Sequence, residues 1–143
     1  MTQYLLSVWH SDRNPIPDDP AVMQRAYKQV DAFNADLQAS GAWVFGGGLH
    51  APESATVVRA EEGGDPVMTD GPFAETREVV GGYWMIQVKS KQEAVEWASR
   101  CPAADGDIIE VRQVFEMSEF PEDVKEAAAG LDVNPKAAMS EQP

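Results

Sequence analysis

Basic residues are scarce in this sequence: 11 lysines and arginines stand against 24 aspartates and glutamates, for a formal net charge of −13. Such a surface repels a phosphate backbone and no local Lys/Arg cluster offsets it, so no nucleic acid is expected as a partner. Cysteine is nearly absent. Cys101 stands alone, which excludes an intrachain disulfide and any Cys-x-x-Cys pair. At the end of an expected helix and just before Pro102, it reads as a small buried hydrophobe. Histidine is limited to His10 and His50, and two histidines and one cysteine without ligand spacing argue against a structural metal site. No apolar run approaches the ~20 residues that span a bilayer. The chain goes directly into Gln3-Tyr4-Leu5-Leu6-Ser7-Val8-Trp9 with no basic segment or small-residue cleavage site ahead of it, so a cytoplasmic protein without a membrane partner is expected.

What is present is ordinary globular composition, 43% apolar and 24% charged, over a length that fits one domain. Tyr4 to Trp9 reads as a first strand, broken by the Asp, Asn and Pro residues that follow. Asp19-Pro20 is a helix start. Val22, Ala26, Val30, Phe33 and Leu37 then recur on one stripe, and Gly41 supplies the stop. Trp43-Val44-Phe45 opens a second strand that ends in three glycines. Thr56 to Arg59 and Val67 to Thr69 flank turn chemistry and form a hairpin. A long strand runs to Val88, with Trp84, Ile86 and Val88 on one face and Tyr83, Met85 and Gln87 on the other. Ser90-Lys91-Gln92-Glu93 opens a second helix whose buried stripe is Ala94, Trp97, Ala98 and Cys101. Ile108 to Phe115 is the last strand, with Ile109, Val111 and Phe115 on one side. Glu122 to Ala129 reads as a short helix ahead of a frayed tail.

Without the hairpin, this order is β-α-β-β-α-β: an α+β, ferredoxin-like antiparallel sheet with an inserted hairpin and both helices on one face. The other face then carries Tyr83 and Met85, which are too apolar to leave to water. A two-fold contact with a second copy covers such a face with one self-complementary patch, so a homodimer is expected.

The segment Thr69-Asp70-Gly71-Pro72-Phe73-Ala74-Glu75-Thr76-Arg77-Glu78, followed by Gly81-Gly82-Tyr83-Trp84, resembles the signature of the DGPF, or YCII-related, family. Gly48-Leu49-His50-Ala51-Pro52, Ala94-Val95-Glu96-Trp97-Ala98 and Ile109-Glu110-Val111-Arg112 extend the resemblance over residues 1–120, leaving 121–143 as a C-terminal extension. The resemblance implies a dimeric ferredoxin-like fold, within a superfamily that includes small lyases, isomerases and dehalogenating enzymes. It also implies a His–Asp pair, proposed as catalytic in YCII proteins, and for many DGPF members an encoding beside extracytoplasmic-function sigma factors.

Asp70 matches by motif, although Asp70-Gly71-Pro72-Phe73 is also plain turn chemistry with Phe73 as an anchor. The family histidine lies on the first helix, which carries none here. His10 and His50 each follow a strand, and either imidazole suits proton transfer near neutrality. His50 is paired with Asp70 as the catalytic expectation because the hairpin returns Asp70 opposite Thr56 or Val57, a short loop from His50. Phe73 and Tyr83 are the expected substrate-binding residues. Gly46-Gly47-Gly48 lacks the Lys-Ser/Thr of a phosphate loop and reads as a close-packed strand end. The function expected is cofactor-free and metal-free proton transfer on a small organic molecule, of lyase, isomerase or dehalogenase type. The alternative is a non-catalytic small-molecule-binding or regulatory protein of a sigma-factor system.

Overall fold

Alternation along the first strand sets the architecture. In β1 (Thr2–Ser11) the side chains of Tyr4, Leu6 and Val8 are buried on one face, and everything that packs on the sheet packs there. The computed structural model describes residues 1–11, 18–71 and 77–127 of the chain. After β1 come α1 (Pro20–Ser40), β2 (Trp43–Gly48), β3 (Thr56–Arg59), β4 (Val67–Asp70), β5 (Glu78–Val88), α2 (Lys91–Arg100), β6 (Ile108–Gln113) and α3 (Glu122–Ala127). The four long strands form one antiparallel sheet in the order β2-β5-β1-β6, while β3 and β4 pair only with each other. This is the ferredoxin-like α+β arrangement with a hairpin inserted between its second and third strands.

Both long helices obey their sequence signals. The Asp19 carboxylate accepts the Ala21 N–H at 2.9 Å, Pro20 takes the first helical position, and Gly41 closes α1 at φ 79°. Ser90 caps α2 by accepting the Glu93 N–H, while the Glu93 carboxylate reaches back to the Lys89 N–H. The helices lie on the Tyr4–Leu6–Val8 face. Phe33 and Leu37 of α1 and Ala94, Trp97 and Ala98 of α2 join Trp84, Ile86 and Val88 in one core. Phe33 is its hinge, edge-on to Trp84 at 5.1 Å and to Trp97 at 5.9 Å. The Trp84 indole N–H, which burial would otherwise strand, donates to the Asn34 side-chain oxygen at 2.7 Å.

Two expectations are corrected in detail. The stripe of α1 is buried only in its second half: Ala26 is exposed and Val22 half-buried, because the first turns extend past the core. The last strand stops at Gln113, where its ladder with β1 reaches Tyr4, and only the Val114 N–H continues it, to the Gln3 carbonyl. Phe115 is therefore 77% exposed rather than in line with Ile109 and Val111, and it stacks on Phe120 instead. The third helix is described as Glu122–Ala127, inside the expected span; Ala128 and Ala129 lie outside the described residues.

Trp97 is buried between Phe33 and the Arg100 guanidinium, which lies 4.3 Å from its ring centroid. Trp97→Ala is expected to destabilise the fold by about 3–5 kcal/mol in denaturant melts. A loss below about 1 kcal/mol would mean that this ring does not anchor the core.

Candidate functional site

The sheet brings together two residues that stand 97 positions apart. His10 lies near the C-terminal end of β1, and Asp107 immediately precedes β6, the strand that pairs with β1. His10 Nδ1 is 3.0 Å from Asp107 Oδ1, and the Asp107 side chain is 2% exposed against 24% for His10. The carboxylate is held from behind by its own turn. Its second oxygen accepts the Ala104 N–H at 2.9 Å, the Asp107 N–H donates to the Ala104 carbonyl at 3.1 Å, and Gly106 turns the chain at φ 88°. A buried charged group left unpaired costs about 3–5 kcal/mol, so this carboxylate requires its two donors. A carboxylate oxygen only accepts, so in this contact Nδ1 is the donor and Nε2 is the nitrogen not engaged by Asp107.

The ring also has a seat. Between Val8↔Gly82 and Trp9↔Val80 the β1–β5 register skips Gly81, a bulge. A methyl group on Gly81 would overlap Cδ2 and Nε2 of His10. From the opposite side the Gly81 carbonyl accepts the Leu49 N–H at 2.9 Å.

Three of the four residues singled out by sequence lie among the described residues. Asp70 does return opposite Thr56, as the hairpin geometry requires. It is exposed, and Gly71 behind it closes the turn by donating to the Ala55 carbonyl at 2.7 Å. His50 is exposed in the segment after β2, and no hydrogen bond or ion pair joins it to Asp70 among the described residues. Tyr83 is half-buried on the face away from the helices, edge-on to Phe45 at 5.9 Å. Alternation along β1 places His10 on the helix face with Val8, so Tyr83 and His10 lie on opposite sides of the sheet. Phe73 lies outside the described residues. The carboxylate that sequence reasoning missed is Asp107. Its signal was topological: in this strand order the residue before the last strand meets the end of the first.

The glycine run belongs to β2, where a methyl on Gly46 would stand 2.9 Å from Trp84 Cδ1 and one on Gly47 3.0 Å from the Tyr83 hydroxyl. Among the described residues no group of three or more His, Cys, Asp or Glu is placed to hold a metal ion. No described helix is long and apolar enough to cross a membrane.

Burial pushes the Cys101 thiol up to about 12 from an ordinary value near 9. The native fold therefore favours the neutral thiol, a preference fully present below pH ~9 and lost as the pH rises toward 12. Iodoacetamide at about pH 9, the ordinary thiol value, is expected to label the native protein slowly and the urea-unfolded chain quickly, read by intact mass. Equal rates would mean an accessible thiol.

Comparison with known proteins adds a family. The model of the YCII-related domain matches residues 13–118, which takes in Asp107 and begins three residues after His10. A protein of Rhizobium meliloti (strain 1021), "Uncharacterized protein R00369", is 36% identical over 47 residues. That match covers 33% of this chain and 38% of the relative's own length. With the family model spanning most of its length and a ferredoxin-like sheet beneath it, the chain belongs to the YCII-related family.

Proposed function

We propose that this protein is a small cytoplasmic homodimer that transfers a proton on a small organic substrate, with His10 as the group that takes and returns the proton. The observation that carries this reading is the 3.0 Å contact from His10 Nδ1 to a carboxylate that is almost wholly buried. Asp107 fixes the tautomer and orientation of the ring, so Nε2 meets substrate as a base. Once Nε2 is protonated, the imidazolium is compensated by the carboxylate beside it. Removal of a proton from a carbon next to a carbonyl, with its return at another position or expulsion of a leaving group, covers the isomerase, lyase and dehalogenase types. Such a transfer moves no electrons to an acceptor, so it requires no redox cofactor. His50 and Asp70 keep a proposed part in the proton chemistry, and Phe73 in substrate binding, on the strength of the family resemblance rather than of any contact. The domain is taken as residues 1–120, with 121–143 an extension.

The partner in the dimer is supported by the face that the helices leave open. Phe45, Tyr83, Met85, Leu5 and Trp9 are half-buried there and Ile108 is 47% exposed, an apolar surface across all four strands. Tyr83 would serve this contact.

Two outcomes are expected. Spectra of protein labelled with 15N-histidine show His10 in the Nδ1–H form, and Asp107→Asn, whose amide can donate to Nδ1, shifts it to Nε2–H. In deuterium oxide, a panel of small lactones and ketones gains deuterium next to the carbonyl with the parent protein and not with His10→Gln. If no compound exchanges while the Nδ1–H form is intact, the binding or regulatory reading, including a sigma-factor partner, takes precedence. Light scattering shows a dimer that Met85→Asp converts to a monomer. A parent that is already monomeric would remove the partner from this reading.

A further inference from the structure

We infer that Gly81 is a positioning residue of the His10 site: the bulge is kept free of a side chain so that the imidazole lies on it, and this seat, together with Asp107, decides where Nε2 points. The inference rests on the reading of His10 as the proton carrier.

Four observations combine. The three atoms nearest to a methyl built on Gly81 all belong to the His10 ring, and two of them, Cδ2 and Nε2, would overlap it. The backbone does not itself call for glycine, since the described glycines with positive φ are Gly41, Gly63 and Gly106 and not Gly81. The bulge cannot retreat, because its carbonyl is tied to the Leu49 N–H of the neighbouring strand's extension. The ring cannot yield without cost, because rotation away from Gly81 swings Nδ1 off Asp107 Oδ1 and leaves a buried oxygen short of a donor. The imidazole is thus gripped at two edges, Nδ1 by its hydrogen bond to Asp107 and the Nε2 side by shape. A carboxylate alone fixes the tautomer but lets the ring pivot about one hydrogen bond. The glycine surface removes that freedom.

A bulge glycine also has a plain structural role, as the extra residue that lets β5 bend. The two roles predict different couplings with His10. The experiment compares Gly81→Ala, His10→Ala and the double variant with the parent by thermal melting, and adds 15N-histidine spectra of the parent and Gly81→Ala. The expected result is a folded Gly81→Ala protein in which the single Nδ1–H signature of His10 is lost to a mixture of tautomers. The added methyl is expected to change the melting temperature of His10→Ala by less than about 2 °C, a few tenths of a kcal/mol for a domain of this size. Retention of the Nδ1–H signature in Gly81→Ala overturns the inference. So does an equal loss of melting temperature with and without the histidine, which would assign the glycine to the backbone. Should Gly81→Ala fail to fold, recovery in the double variant supports the seat and failure of both overturns it. A parent protein that lacks the Nδ1–H signature overturns the His10–Asp107 reading itself, an outcome visible before any substitution at position 81.

Discussion

A carboxylate with almost no contact with water is the constraint on which the candidate site depends. Asp107 cannot be left there unpaired, and its two donors come from different parts of the chain: the Ala104 N–H three residues back and His10 from the far end of the sequence. Each fixes one oxygen. The turn that supplies the first donor also starts β6, so the carboxylate and the strand pairing that brings His10 to it are set by the same few residues. The site is therefore a product of sheet formation. Local structure supplies Asp107 and its turn, and the β1–β6 ladder supplies its partner.

The periodic parts of the fold were legible because each had a local cause. Asp19-Pro20 and Gly41 bound the first helix, Ser90 and Glu93 open the second, and the alternation of Tyr83 to Val88 assigns both faces of β5. The hairpin register that sets Asp70 opposite Thr56 was legible for the same reason. The His10–Asp107 pair was only half legible. His10 stood out as one of two histidines, each just after a strand. Asp107 looked like one more acid in an acidic chain, inside the turn Ala104-Asp105-Gly106-Asp107. What makes it different is burial, and burial belongs to tertiary structure. Asp70 was favoured because it sits in a recognisable motif. In the structure the motif's Gly71 has a backbone reason of its own, the close return onto Ala55, where a methyl would stand 3.0 Å from its Cβ.

Phe115 marks the opposite kind of limit. Its spacing from Ile109 and Val111 fits a strand, but the ladder with β1 stops at Tyr4↔Gln113, two residues short of the register in which Phe115 would face Thr2. Alternation in sequence describes which side a residue takes if the strand continues. It does not say where the ladder with the neighbouring strand ends. The turn at Met117–Glu119 then brings Phe120 back onto Phe115, and two aromatic rings find each other in place of the core.

The same reasoning explains how one strand serves two surfaces. In β1, Ser7 and Trp9 face away from the helices, with the Trp9 indole N–H donating to the Ser7 hydroxyl at 3.0 Å, while Val8 and His10 face toward them. Adjacent residues thus belong to different surfaces, the open apolar face and the face that holds the imidazole. The bulge falls between Val8 and Trp9, at the place where this division matters most. In an unbroken ladder the residue of β5 beside His10 would carry a side chain. An extra residue without one bends the strand and clears the ring's position in a single step. Because side chains alternate, a substitution such as Met85→Asp reaches the open face without touching the histidine, and one at Gly81 reaches the histidine without touching the open face. The sheet is thin enough to connect the two surfaces and regular enough to keep their chemistry apart.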